Sequence, residues 1–262
     1  MNSQGNEVLV KICGVRTADA AVAACEARAD IIGMIFAPSP RLIDIPTAQE
    51  IAQAVYVSSS SANITSPLPS RPDFNGNAPT EDYFNAWADH ISQIRRIGGR
   101  PLLTGVFQNQ SLEHILEVVR SVPLDLVQLH GTESVEMARE IPVPVIKVFH
   151  VDEGFSLDGE SDLMKTSCHA IILLDTKVAG ASQQGGRGVS FDWTIARALS
   201  DRGVPFLMAG GLTPENIGEA VGVGRPWGVD VSSGIETDKV KDPKKIHAFV
   251  RGAKNAAPFS EK

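Results

Sequence analysis

The chain has 262 residues, of which 43% are hydrophobic, and a formal net charge of −7. This length and apolar content suit one large core, and no apolar run approaches the roughly 18 residues that cross a membrane. The acidic balance lacks the basic patch of a protein that binds nucleic acid or an anionic membrane, so a small-molecule partner is expected. The polar N-terminal residues have no signal-peptide pattern, which predicts a cytoplasmic protein. The three cysteines have no metal-like spacing, which predicts free thiols.

Short runs rich in Val, Ile and Leu alternate with amphipathic stretches, which is the pattern of a parallel sheet covered by helices. Helices are predicted after Thr213-Pro214 and after Asp242-Pro243, where an N-cap residue precedes a proline. The polar segment 152–166 predicts at most a short, irregular turn. Eight strands are predicted, at 8–13, 31–36, 102–107, 125–130, 145–150, 170–175, 205–209 and 228–231. Together they predict an α/β fold, a single (β/α)8 TIM barrel over residues 1–262.

A polar insertion separates predicted strands 2 and 3. Residues 58–79 are rich in Ser, Asn and Pro and predict a flexible surface segment. Residues 80–97 then carry apolar side chains at helical spacing, which predicts an extra amphipathic helix that packs on the barrel. Docking of a partner through the aromatic side chains of this helix is the alternative interpretation.

Two consecutive strands near the end of the chain run into backbone suited to bind a phosphate. Gly210 and Gly211 follow strand 7, and Ser232, Ser233 and Gly234 follow strand 8. Small residues let successive N–H groups approach an anion, and barrel enzymes often bind phosphate after strands 7 and 8. Tight turns that need small residues are the plainer interpretation.

The ends of other predicted strands carry polar side chains, where barrel enzymes place their catalytic groups. Cys13 ends strand 1 and Asp175 ends strand 6, so a thiol and a carboxyl group could act as base and acid. Arg41 follows strand 2 and could bind a planar carboxylate through its guanidinium fork. Gln128 and His130 end strand 4, where they would either complete hydrogen bonds inside the barrel or contact substrate.

These segments resemble the phosphoribosylanthranilate isomerase family, tryptophan-pathway enzymes built as a single (β/α)8 barrel. The insertion at 58–79 departs from the compact form of the family, and residues 185–188 stand where the family has a glycine-rich loop. That loop would close over substrate as a lid or serve as a flexible turn. The resemblance spans nearly the whole chain and is carried by residues 11–14, 33–36 with 39–41, 105–107, 127–131, 174–175, 191–193, 209–212 and 230–234.

The resemblance implies an Amadori rearrangement of a phosphoribosyl anthranilate by proton transfer, without a redox cofactor or a metal. Asp175 would protonate the ring oxygen, Cys13 would remove a proton from C2′, and Arg41 would bind the anthranilate carboxylate. The two loops after strands 7 and 8 would hold the phosphate, with Gly210, Gly211, Ser232, Ser233 and Gly234 as the binding residues. Association with other tryptophan-pathway enzymes is a further expectation.

Alternative functions follow from the same phosphate motif. A related aldose isomerase would be expected to use paired carboxylates, and an indole-forming synthase a lysine at a strand end. A metal-dependent epimerase would need histidine and acid ligands, and the sequence offers His130 and His150 without carboxylates at matching strand ends. A catalytically silent phosphosugar-binding barrel, with residues 58–97 as a docking surface, is the alternative from a different class.

Overall fold

The computed structural model describes residues 7–59, 69–74, 79–151, 155, 157, 162–176 and 193–256. The loop at 185–188 lies outside the described residues, and so does most of the insertion predicted at 58–79. Among the helices that are described, none combines the length and the apolar character needed to cross a membrane.

Eight parallel strands close into a barrel in which β1 pairs with both β2 and β8. Nearly every strand residue is buried, because one face packs inside the barrel and the other against the helices. The predicted (β/α)8 barrel is confirmed, and each strand begins and ends within one residue of its predicted bounds. The strands are β1 (Leu9–Cys13), β2 (Ile31–Ile35), β3 (Leu102–Phe107), β4 (Leu126–Leu129), β5 (Val145–Val151), β6 (Ile171–Thr176), β7 (Phe206–Met208) and β8 (Gly228–Val231).

Helices connect most of the strands on the outside of the barrel. The connection from β4 to β5 is a 3₁₀ helix, Val135–Glu140, and another short one, Asp162–Met164, precedes β6. A hairpin of two short strands, β9 (Glu236–Thr237) and β10 (Val240–Lys241), follows β8. The α-helices are α1 (Ala18–Glu26), α2 (Ile45–Ser58), α3 (Thr80–Gly98), α4 (Leu112–Ser121), α5 (Trp193–Asp201), α6 (Ile217–Gly224) and α7 (Pro243–Lys254).

The two proline-marked helix starts have different outcomes. The Asp242 side chain accepts hydrogen bonds from the N–H groups of Lys244 and Lys245, at 2.9 and 3.4 Å, and caps α7 as predicted. At the start predicted at Thr213-Pro214, the Thr213 hydroxyl accepts from the Glu215 N–H at 3.3 Å, as a capping side chain does, although the regular helix begins later. The side-chain oxygen of Asn216 accepts from the Thr213 N–H at 2.8 Å, so these residues form a turn and α6 begins only at Ile217.

Helix α3 closes the N-terminal end of the barrel. Its Ala88 and Ile91 share one apolar cluster with residues at the beginnings of the strands, among them Ile31, Leu102 and Ile171. The amphipathic helix predicted at residues 80–97 is therefore present, and its apolar side covers the N-terminal end of the barrel. The other mouth, at the C-terminal ends of the strands, is left for a ligand.

Part of the insertion packs beside α3. The ring of Phe74 lies 4.8 Å from the ring of Tyr83, and Arg71 donates a hydrogen bond to the Pro142 carbonyl. Phe74 therefore provides an apolar contact between this part of the insertion and the barrel.

Candidate active site

The residues predicted from the sequence to form the site come together. All of them line one pocket at the C-terminal end of the barrel, opposite the end that α3 covers. Strand β1 supplies the thiol, strand β6 the carboxyl group, and the segment after β2 the arginine. The eight residues are Cys13, Arg41, Asp175, Gly210, Gly211, Ser232, Ser233 and Gly234.

Cys13 is a buried thiol that neighbours a buried ion pair. Lys11, two residues earlier on the same face of β1, lies 2.9 Å from a carboxylate oxygen of Asp230. Burial raises the pKa of Cys13, and the charge of Lys11 offsets this effect only in part. Because Asp230 already neutralises Lys11, the resting side chain of Cys13 is a thiol.

The same ion pair keeps Lys11 charged. Burial by itself would lower the pKa of Lys11, but the attraction of Asp230 and of Cys13 outweighs it and the pKa is raised. Lys11 is therefore a charged side chain beside the Cys13 thiol, and it has no exposed surface.

Asp175 lies beside two histidines at the C-terminal end of the barrel. Its Oδ2 lies 3.3 Å from Nε2 of His130, and β5 and β6 pair in a register that places His150 beside it. The side-chain nitrogen of Gln128 lies 2.9 Å from Nδ1 of His130. When the amide donates to Nδ1, the imidazole carries its proton on Nε2, the nitrogen that faces Asp175. Burial lowers the pKa of His150, with the nearby His130 adding to the effect, so this side chain is neutral.

These three side chains also form a cluster that could ligate a divalent cation. One ligand atom each from His130, His150 and Asp175 lies within 4.8 Å of the other two. The sequence interpretation that the strand-end histidines have no carboxylate partner is therefore wrong. The register of β5 against β6 sets His150 opposite Asp175, and this register cannot be read from spacing along the chain.

The two phosphate-type loops are pressed against each other. Gly210 and Gly211 have φ values of 93° and 64°, in the left-handed region that glycine tolerates. A Cβ atom on Gly234 would lie 1.9 Å from the carbonyl oxygen of Leu212, so only glycine permits this approach. The side-chain amide of Asn216 donates to the Gly211 carbonyl at 2.9 Å and holds the first loop.

Arg41 is held from one side by an internal carboxylate. Its Nε and Nη2 atoms each lie 2.7 Å from an oxygen of Glu236, in a bidentate pair. Lys241, across the β9–β10 hairpin, donates to the same carboxylate at 2.8 Å. Burial would raise the pKa of Glu236, but the hydrogen bonds from Arg41 and Lys241 lower it to about 2. Glu236 is therefore an anion at neutral pH.

Sequence reasoning missed Glu236 and Lys241. They face each other because Asp238 and Lys239 turn the chain with positive φ values of 52° and 64°. Such a turn usually carries Asn-Gly or Asp-Gly, and Asp-Lys gives a weaker signal. The charged residues beyond the predicted phosphate loop were the only available hint of this hairpin.

The comparisons with known proteins all identify the same enzyme family. A sequence model of the family described as N-(5'-phosphoribosyl)anthranilate (PRA) isomerase matches residues 69–252. The chain is 35% identical to the N-(5'-phosphoribosyl)anthranilate isomerase of Dehalococcoides mccartyi, over 95% of this chain and 97% of that protein. It matches a crystal structure of phosphoribosyl anthranilate isomerase in complex with reduced 1-(o-carboxyphenylamino)-1-deoxyribulose 5-phosphate, with a TM-score of 0.62, 30% identity and coverage of 94% and 98% of the two chains.

Longer proteins also contain a similar segment. The chain is 42% identical to the multifunctional tryptophan biosynthesis protein of Phycomyces blakesleeanus, over 95% of this chain and 33% of that protein. Across this and three further long relatives, the chain spans between 29% and 47% of the relative's length.

Proposed function

The chain belongs to the N-(5'-phosphoribosyl)anthranilate isomerase family, and we propose that it catalyses the reaction for which the family is named. This reaction is the Amadori rearrangement of N-(5-phospho-β-D-ribosyl)anthranilate to 1-(2-carboxyphenylamino)-1-deoxyribulose 5-phosphate in tryptophan biosynthesis. The observation that carries the proposal is one pocket that holds a thiol, a carboxyl group, an arginine and two small-residue loops. The reduced ketose phosphate bound by the crystallised relative supports this substrate class.

Asp175 acts as the general acid. In its protonated form it gives its proton to the furanose ring oxygen, the C1′–O bond breaks, and the anthranilate nitrogen becomes part of a protonated Schiff base. Nε2 of His130 lies 3.3 Å from Oδ2 of Asp175, which supports this role by placing an imidazole nitrogen close to the carboxyl group.

Cys13 acts as the general base in the second step. Its thiolate removes the proton from C2′ of the Schiff base, and the electron pair of the C–H bond forms an enolamine that tautomerises to the ketone. The cationic Schiff base favours the thiolate, which compensates for the burial that raises the pKa of Cys13 in the resting enzyme. Such proton transfers typically contribute about 10²- to 10⁴-fold each.

The remaining residues hold the two ends of the substrate. Arg41 binds the anthranilate carboxylate, and the backbone of Gly210, Gly211, Ser232, Ser233 and Gly234 binds the phosphate. Fixing both ends keeps the ribose between Asp175 and Cys13, so that positioning adds to the proton transfers.

The proposal is tested by mixing the purified protein with freshly generated phosphoribosylanthranilate and following its conversion by fluorescence. Wild-type protein is expected to turn over, and Asp175→Asn is expected to bind substrate but lose at least about 10²-fold in kcat. Turnover unchanged in Asp175→Asn would reject the acid. A folded wild-type protein that binds the substrate without converting it would be a silent phosphosugar-binding barrel.

The long relatives support a proposal about partners. Three of the four are named multifunctional tryptophan biosynthesis protein, which fits a barrel that works beside other activities of the same pathway in the cytoplasm. Co-elution of this chain with other tryptophan-pathway enzymes from a cytoplasmic extract is the expected result. Elution at the size of the isolated chain would argue against a stable association.

A further inference from the structure

Glu236 occupies only one edge of the Arg41 guanidinium. The bidentate pair uses Nε and Nη2, at 2.7 Å each, and no described residue accepts a hydrogen bond from Nη1. A guanidinium has five N–H groups, so the Nη1 and Nη2 edge still offers two parallel donors. That edge has the geometry to bind a second carboxylate.

The charges of the cluster match one further anion. Arg41 and Lys241 bring two positive charges and Glu236 brings one negative charge, which leaves one positive charge uncompensated within the cluster. Glu236 and Lys241 are nearly buried, with side chains 8% and 4% exposed, so screening by solvent is weak. A monovalent carboxylate would neutralise the site.

The cluster also joins the two ends of the pocket. Lys241 donates to the backbone carbonyl of Ser232 at 2.9 Å while it binds Glu236 at 2.8 Å. On the other side, the Arg41 stem lies so close to Gly14 that a Cβ there would be 2.5 Å from Cδ. The guanidinium is therefore held by Glu236 at its head and by the β1 backbone turn at its stem.

We propose that Glu236 is a positioning residue that fixes the guanidinium plane of Arg41 and so determines selectivity for a substrate that carries an aryl carboxylate. Through Lys241 and Ser232 it also fixes the distance between the carboxylate-binding edge and the phosphate loop. This inference rests on the proposed function, because it takes Arg41 as the carboxylate-binding group.

The test compares binding of two ligands by titration calorimetry. One is the reduced 1-(2-carboxyphenylamino) deoxyribitol 5-phosphate, and the other is the same compound without the carboxylate. Wild type is expected to prefer the carboxylated ligand. Glu236→Gln is expected to reduce that preference about tenfold, through weaker binding of the carboxylated ligand alone. Glu113→Gln, at an exposed position of α4, is the matched control and is expected to keep the wild-type preference.

A double-mutant cycle separates positioning from a general structural effect. Glu236→Gln is expected to leave the ligand preference unchanged when Arg41→Ala is already present, because Glu236 acts only through Arg41. If Glu236→Gln is too unstable to titrate, Glu236→Asp keeps the charge but retracts it by one methylene, and a smaller loss of preference is expected.

Four outcomes would overturn the inference. An unchanged preference in Glu236→Gln would reject positioning, and tighter binding of the carboxylated ligand would instead make Glu236 an internal competitor for Arg41. Any change in the ratio of the two affinities when Glu236→Gln is added to Arg41→Ala would show that Glu236 acts by another route. If wild type itself does not distinguish the two ligands, the carboxylate role of Arg41 in the proposed function fails together with the inference.

Discussion

The protonation of Cys13 and Asp175 is the central question at the scale of single residues. The proposed reaction starts from a thiolate and a carboxylic acid, and the resting enzyme holds Cys13 as a thiol because burial raises its pKa. The free enzyme therefore keeps Cys13 in one protonation state until the pH approaches this raised pKa.

This reasoning predicts the pH dependence of kcat/KM. The profile is expected to be flat through neutral pH and to fall only above the ordinary thiol pKa of 9.0, because the Cys13 pKa is raised and the thiol loses its proton only beyond it. Initial rates between about pH 6 and pH 10 would measure this. An alkaline fall that begins near pH 7 would contradict it. In Lys11→Met the fall is expected at still higher pH, because Lys11 lowers the pKa of the thiol.

At the scale of elements, α3 is expected to contribute to the stability of the fold and not to the chemistry of the pocket. Its side chains fill the N-terminal mouth of the barrel, whereas the pocket lies at the other end. Phe84 has no exposed surface and its ring lies 5.1 Å from Tyr83 and 5.4 Å from His169. The helix is therefore expected to contribute to folding without contributing to catalysis.

Phe84→Ala tests this division. The free energy of unfolding is expected to fall by about 3–5 kcal/mol, which is typical of a large buried ring replaced by alanine. The kcat and KM of the folded variant are expected to stay at wild-type values. Asp89→Ala, on the exposed face of the same helix, is the control and should leave stability nearly unchanged. A large change in kcat with little change in stability would reject the division.

His169, beneath α3, makes stability depend on pH. Burial lowers its pKa from 6.5 to about 4, and its Nε2 lies 3.1 Å from the Leu163 carbonyl. Below pH 6.5 the unfolded chain binds a proton that the native state does not bind, so stability is lost as the pH falls toward 4. The loss due to this group is expected to reach roughly 3 kcal/mol.

Urea unfolding between these two pH values measures the effect. The difference in pH dependence between wild type and His169→Gln isolates this group from the carboxylates that titrate in the same range. His247→Gln, at an exposed position of α7, should retain the wild-type dependence. Equal slopes for wild type and His169→Gln would mean that the buried histidine is protonated in the native state.

At the scale of the whole molecule, the proposed reaction needs only proton transfers by side chains of the barrel. Dialysis against EDTA is therefore expected to leave kcat/KM unchanged. This experiment is informative because His130, His150 and Asp175 could bind a metal ion, since their ligand atoms lie within 4.8 Å of one another. Activity lost on chelation and restored by added zinc would show that the cluster holds a required metal.

The strands and most of the site residues could be predicted from the sequence, because each depends on neighbours along the chain. A strand buried on both faces reads as a short apolar run, and Cys13 or Asp175 stands out at the end of such a run. The Asp242 cap of α7 was predicted for the same reason, since its partners are Lys244 and Lys245. The Thr213 hydroxyl likewise caps the turn that leads into α6, since its partner Glu215 is two residues away along the chain.

The sequence by itself determined the barrel, its open end, and the thiol, carboxyl and arginine that stand there. Only the tertiary structure decided the pairs between distant residues: Lys11 with Asp230, Arg41 with Glu236, and Asp175 with His130. Periodicity along a chain reports which face of an element is apolar, but not which strand lies beside it or which charge a buried group meets. Those partners set the pKa of Cys13 and the orientation of Arg41, because electrostatic interactions depend on distance in space.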